Sequence, residues 1–256
     1  MKVLVLGSTG KLGSRILSAL LARGHSVVAF ARDSSKLPPS IIPQLLAVEH
    51  GDATKHADII AAGNKHQCDA IVNSAGYASM VPWGKSDLPS IVDAVIAAAL
   101  EMGQTRQTPL RMWFLGGIGL LDLPNTKYQL VDYLRMFPQH RHTWEKLQAL
   151  PPSGIQWSVL CPGVMYPLSE RTYPLANEAS AKNLSVASTS PPEWSSKLLA
   201  TPLVGGYLNV LSQVSSYKTT LEDNADFIAQ DLLDGTESPW IYQKVGTRQK
   251  KHWVSP

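Results

Sequence analysis

The feature that most constrains this chain lies at its start. A short apolar run, Val3 to Leu6, leads directly into Gly7-Ser8-Thr9-Gly10-Lys11-Leu12-Gly13. A helical pattern follows at once, with Leu12, Ile16, Leu17, Leu20 and Leu21 spaced along one face. The run lacks polar alternation, as a strand buried on both sides does. Between such a strand and such a helix the three glycines have separate jobs. Gly7 permits a tight turn, Gly10 lets a pyrophosphate approach bare backbone, and Gly13 allows the helix to pack closely on the strand. The helix N-terminus adds N–H groups and a partial positive charge. The turn therefore predicts a dinucleotide held by Gly7, Ser8, Thr9, Gly10, Lys11, Leu12 and Gly13.

The second apolar run, Ser26 to Phe30, ends in Ala31-Arg32. An acid near this position binds a ribose 2′-hydroxyl, whereas an arginine suits a 2′-phosphate. Arg32, with Ser35 and Lys36 close behind, supplies charge and donors for that phosphate. Asp33 stands one place beyond the expected acid. The pattern predicts NADP(H) rather than NAD(H).

Further along, strands and helices alternate. Leu45 to Val48 predicts a third strand, after a link holding Pro38, Pro39 and Pro43, and Ala57 to Gly63 a short helix. Ala70 to Asn73 predicts a fourth strand, and Ile91, Val92, Val95, Ile96, Ala99 and Met102 form the stripe of a longer helix. Arg111 to Leu115 and Gln156 to Cys161 predict strands five and six, with a helix around Arg141 to Leu150 between them. This order implies an α/β fold, a Rossmann-type doubly wound parallel sheet with helices on both faces. Residues 1–165 form the nucleotide-binding part, and 166–256 a small C-terminal substrate-binding elaboration of the same domain. Within the latter, 176–192 read as a mobile loop, Leu221 to Leu233 as a last helix, and Lys244 to His252 as a basic, solvated end.

A chain of 256 residues with 44% hydrophobic and 17% charged residues can bury the core of one large domain. Its net charge of +3 argues against nucleic acid or an anionic membrane as partner. The first apolar run is shorter than a signal peptide's core, and no run approaches the roughly 20 apolar residues of a membrane span. Two separated cysteines, Cys68 and Cys161, read as buried thiols of a reducing compartment. These features predict a cytoplasmic protein with a small-molecule substrate. No metal site is predicted, because His140 and His142 lack helical ligand spacing and no cysteine pair accompanies them.

Five segments in order, GSTGKLG, ARDSSKL, HGDAT, NSAG and QWSVLCPG, resemble the atypical short-chain dehydrogenase/reductase group. The NmrA-like and NAD(P)H-binding, flavin-reductase-like members are the most similar. The resemblance covers residues 1–165 and continues faintly through Glu222 to Phe227. It implies that Asp52 and Ala53 border the adenine, that Ser74, Ala75 and Gly76 line the cofactor beyond strand four, and that Pro162, Gly163 and Val164 lie near the nicotinamide. The plainer alternatives are a helix cap for Asp52 and a turn for Pro162-Gly163.

Short-chain dehydrogenases use a Tyr-x-x-x-Lys pair on the helix before strand six and a Ser after strand five, the tyrosine passing a proton as hydride arrives. This sequence departs from both, with Leu115-Gly116-Gly117-Ile118-Gly119 after strand five. His142 and Lys146 keep the i, i+4 spacing and are the candidate proton-exchanging and ribose-holding pair. Tyr133 is a further catalytic candidate, with Tyr128 and His140 as rivals. Trp83, Trp113, Trp144, Tyr166 and Tyr173 are available as aromatic walls, although such a residue is more often core, Trp113 inside strand five above all. The expected activity is reduction of a small aromatic, carbonyl or quinone-like molecule. A nucleotide-sensing regulator, as NmrA-like proteins can be, and a non-redox lyase or cyclase are the alternatives.

Overall fold

The computed structural model describes residues 1–80, 83–134, 136–151 and 153–250. Strands β1 (Lys2–Leu6), β2 (Ser26–Ala31), β3 (Ala47–His50), β4 (Ala70–Asn73), β5 (Leu110–Leu115) and β6 (Ile155–Pro162) alternate with helices. These are α1 (Lys11–Ala22), α2 (His56–His66), α3 (Leu88–Arg106) and α4 (Gln139–Gln148). The C-terminal part adds β7 (Val164–Tyr166), β8 (Leu184–Ser188), α5 (Gly205–Gln213), β9 (Lys218–Thr220), α6 (Leu221–Asp234) and β10 (Gln243–Gln249).

Eight strands form one sheet in the order β3-β2-β1-β4-β5-β6-β10-β8. All neighbours run parallel except β8, which lies antiparallel to β10. Strands β7 and β9 pair separately. The alternation of side chains along a strand sends Leu4 and Leu6 into one core, with Ile59 of α2 and Val95 of α3, and Val3 and Val5 into the other, with Ile16 of α1 and Ile228 of α6. That is why β1 reads as an unbroken apolar run. It is a Rossmann-like α/β fold with helices on both faces.

The second core is tied by buried ions. Arg111 of β5 donates to the Asp231 carboxylate of α6 at 2.6 Å, and the Trp113 indole donates to the same oxygen at 2.8 Å. Among the described residues no helix is long and apolar enough to cross a membrane.

Two readings of the C-terminal part are corrected. The segment 176–192 contains strand β8 and is pinned elsewhere: Asp223 accepts from the Ser180 backbone N–H at 2.7 Å, and Asp226 from that of Ala181 at 2.8 Å. Its small polar residues conceal an edge strand in which Leu184 alone is buried. The basic tail is not a solvated end over its described length. Residues 243–249 are β10, inserted between β6 and β8, with Val245 fully buried. Lys244 is buried too, its ammonium bonded to Asp122 at 2.5 Å and to the Leu120 carbonyl at 2.9 Å. A lysine whose charge is paired inside looks the same in sequence as a solvated one. Residues 251 and 252 of that reading lie outside the described residues.

Candidate functional site

The glycine turn occupies the exit of β1, against the exit of β4. Gly7 adopts φ +75°, and a Cβ there would lie 2.6 Å from the Ala75 nitrogen. A Cβ on Gly13 would lie 2.1 Å from the Gly7 carbonyl oxygen and 2.6 Å from Ser74 Oγ. Both glycines are thus demanded by the protein's own packing. Gly10 is different: a Cβ there would meet only the Gly7 carbonyl, at 3.2 Å. The bareness of Gly10 leaves open space at the N-terminus of α1. That end has no side-chain cap and no acid in its first turn, so its partial positive charge is not neutralised locally. The arrangement fits a diphosphate. Ser8 is buried and donates to the Phe30 carbonyl at 3.1 Å, tying β1 to β2. Thr9 faces the cleft, Lys11 is exposed, and Leu12 sits in the core beneath α1.

The cleft beyond these strand ends has a volume of about 350 Å³. At its outer end stand Arg32 and Lys36, both exposed. Asp33 also reaches the cleft, but its carboxylate accepts the Ser35 hydroxyl at 2.5 Å and the Ser35 backbone N–H at 3.1 Å. These bonds hold the Asp33 carboxyl below the usual carboxylate range, with Lys36 contributing from 3.6 Å. Ser35 is thereby committed to Asp33. Asp52 and Ala53 line the same end after β3. The Thr54 backbone N–H, donating at 3.0 Å, keeps the Asp52 carboxyl low, and the charge of Arg32 adds to this.

The inner end is formed by Ser74, Ala75 and Gly76. The Ser74 hydroxyl donates to the Leu6 carbonyl at 2.7 Å, which locks the β1 and β4 exits together. Pro162, Gly163 and Val164 stand two strands away, where β6 passes into β7. A Cβ on Gly163 would lie 2.0 Å from the Tyr217 carbonyl oxygen, and the Val164 N–H donates to that oxygen at 3.0 Å. The close approach to β9 accounts for this glycine.

The catalytic candidates separate into two groups. His142 and Lys146 share one face of α4 and meet one partner, Asp93 of α3, at 3.0 and 3.2 Å. Tyr133 lies on the loop before α4, its ring edge-on to Tyr128 at 5.9 Å and to Tyr207 at 5.3 Å between centroids. Burial pushes its phenol up, opposite to the shift a neighbouring lysine imposes. The Cys161 thiol is fully buried and pushed up to about 12 by that burial, as befits a structural group.

Sequence reasoning missed several residues of the cleft. Gly51 admits the Phe30 ring, since a Cβ there would lie 2.5 Å from it. Tyr77, Asp87 and Ile91 complete the lining from the loop after β4 and the start of α3. The Tyr77 hydroxyl donates to the Lys85 carbonyl at 2.7 Å, and the Ser86 hydroxyl to the Tyr77 carbonyl at 2.5 Å. That loop exposes Tyr77, Met80 and Trp83, by 64%, 61% and 83%. Three large apolar residues between two secondary-structure elements were the available signal. The segment expected to wall the substrate divides: Arg15 of α1 holds the Ser169 carbonyl at 2.5 Å, whereas α5 presents Tyr207 to Tyr133.

Known proteins share this fold. Residues 3–115 match the model of the NAD dependent epimerase/dehydratase family. An uncharacterized chloroplast protein of Arabidopsis thaliana is 24% identical over 63% of this chain, and the match spans 58% of that protein's length. A provisionally named NADH-flavin reductase of Streptococcus pneumoniae has the same fold, with a TM-score of 0.62 at 17% identity, covering 98% of this chain and 100% of that one. ChuY, an anaerobilin reductase of Escherichia coli, superimposes with a TM-score of 0.61 at 16% identity over 100% of both chains. The resemblance to an atypical short-chain-dehydrogenase-like, NAD(P)-binding group is borne out. The matched family is described as NAD dependent, and the solved structures share the fold.

Proposed function

We propose that this protein is an NADP(H)-dependent oxidoreductase acting on a small aromatic, carbonyl or quinone-like molecule. The observation that carries the reading is the division of labour around the cleft. One end offers bare backbone at Gly10 and an uncapped helix, and the other offers Arg32 and Lys36 beside an aspartate tied to Ser35. The first suits a diphosphate and the second a 2′-phosphate. When bound, the dinucleotide supplies or accepts hydride. The chain's own residues then hold and orient: Ser74 fixes the β4 exit against β1, and Asp52 and Ala53 close the adenine end. The exposed aromatic loop after β4 supports a planar apolar substrate.

We place the protein in the cytoplasm, a reading supported by two buried, unpaired cysteines. The test is direct. NADPH binding is followed by nucleotide fluorescence, then its oxidation with a panel of quinones, flavins and aryl ketones. The expected result is binding tighter for NADPH than NADH, with turnover on at least one acceptor. Tight binding without turnover on any acceptor would instead mark a sensor or a non-redox enzyme on the same fold. The two glycines at the usual serine position favour that second reading.

A further inference from the structure

His140, the second residue of α4, is set apart from its neighbours. His142 and Lys146 turn to Asp93, but the His140 ring turns toward the β5 exit. Its Cδ2 and Nε2 lie 3.3 and 3.6 Å from where a Cβ of Gly117 would stand. Gly117 follows Gly116 after β5, the place at which related enzymes carry a hydroxyl. The imidazole thus lies over one of the glycines that stand where that group is expected. β5 is the immediate neighbour of β4, whose exit residues line the cofactor cleft. The corner is closed from the other side by the loop after β4, because the Phe137 N–H donates to the Met80 carbonyl and the Phe137 ring lies 6.4 Å from that of His140.

The ring's own hydrogen bonding fixes its proton. His140 Nδ1 is sealed from solvent and has no partner. A buried N–H without an acceptor is the costlier orphan, so the proton belongs on Nε2 and the lone pair on Nδ1. The residue as a whole retains partial exposure, which therefore is not at Nδ1. Burial pushes the imidazole down to about 4, so it is neutral at physiological pH and presents one N–H donor.

We propose that His140 is the hydrogen-bond donor to the substrate's reacting oxygen, its Nε2–H occupying the role a serine or tyrosine hydroxyl fills in related enzymes. This rests on the oxidoreductase reading above. In reduction of a carbonyl the carbon gains a hydride, with reduced dinucleotide as its source, and the electrons of the C=O π bond pass to oxygen. His140 donates to that developing oxyanion and keeps its own proton, and water delivers the proton that completes the alcohol. A neutral imidazole polarising a carbonyl in this way is established chemistry. Donors aimed at a developing oxyanion carry roughly 10²–10³ in rate.

The test uses the whole protein, His140→Phe and His140→Gln, with 9,10-phenanthrenequinone as probe. We expect the phenylalanine variant to lose at least a hundredfold in kcat while its NADPH dissociation constant stays within threefold, and the glutamine variant, which keeps an N–H donor, to recover part of the loss. Independently of turnover, histidine-¹⁵N NMR of the NADP⁺-loaded protein should show one protonated ring nitrogen shifting on addition of the quinone, a signal absent from His140→Phe. A phenylalanine variant with kcat within threefold, or a ring nitrogen that ignores the quinone, would overturn the proposal while leaving the oxidoreductase reading intact. Absence of NADPH binding by the wild type would overturn both.

Discussion

Asp33 and Ser35 form a closed turn in which one carboxylate accepts both the hydroxyl, at 2.5 Å, and the backbone N–H, at 3.1 Å, of the same residue. Both bonds fall on one oxygen, Oδ1, and the other, Oδ2, lies 3.6 Å from the Lys36 ammonium, so the acid is held in its own turn. The same cleft end carries the cations Arg32 and Lys36.

Arg32→Ala is therefore expected to discriminate between cofactors. A charge-assisted hydrogen bond contributes about 1.5–3 kcal/mol, or roughly 10–100-fold in affinity. The NADPH dissociation constant should rise by that factor, while that of NADH should stay within about threefold on the same grounds. Fluorescence titration with both nucleotides decides the matter, and equal losses would refute a 2′-phosphate role.

Gly10 and Gly13 should respond differently to alanine. At Gly13 the new methyl would lie 2.1 Å from the Gly7 carbonyl oxygen, so the helix must shift and stability should fall by about 1–3 kcal/mol or more. At Gly10, whose φ of −76° suits any residue, the methyl meets only one atom at 3.2 Å. Gly10→Ala should keep a near-wild-type Tm yet lose most NADPH affinity. Paired thermal melts and nucleotide titrations would show the separation. A Gly10→Ala protein that binds normally would contradict the diphosphate site.

Much of the N-terminal half was legible because each element there carries a local signal. Val3 to Leu6 is buried on both faces and reads so, and the glycine turn is written in residues whose lack of a side chain has local causes. Legibility failed where a partner distant in sequence decides the outcome. β10 looks like a basic tail because the partners of Lys244, the Asp122 carboxylate and the Leu120 carbonyl, lie more than a hundred residues earlier. β8 looks like a loop because its order comes from pairing with β10 and from the carboxylates of α6. At α4 the i, i+4 spacing correctly placed His142 and Lys146 on one face, but spacing cannot say which way a face points. It points at Asp93.

The buried pair Arg15–Glu222 makes a second class of prediction. The guanidinium Nε donates to Glu222 at 2.5 Å, and the same carboxylate accepts the backbone N–H groups of Leu168 and Ser169 at 2.8 and 3.2 Å. One acid of α6 thus ties α1 to the segment after β7. Removing one partner of a buried pair leaves the other charge unpaired and costs about 3–5 kcal/mol. Glu222→Ala should show a loss of that size in urea denaturation, and earlier proteolysis around Leu168. A loss below 1 kcal/mol would mean the pair is open to water.

His140 yields the pH prediction. Its folded value, about 4, lies below the ordinary 6.5. Between these values the unfolded chain binds more protons than the folded one, so stability rises with pH through this window and is lost as pH falls from 6.5 toward 4. The full shift corresponds to about 3 kcal/mol at 1.36 kcal/mol per unit, as an order of magnitude. His25, also lowered by burial, contributes in the same direction but is common to wild type and variant. The difference in unfolding free energy between wild type and His140→Phe should therefore change steadily between pH 7 and pH 4.5 in favour of the variant, and be flat above pH 7. Urea titrations across that range measure it directly. A difference that stays constant would show that the ring titrates near its ordinary value.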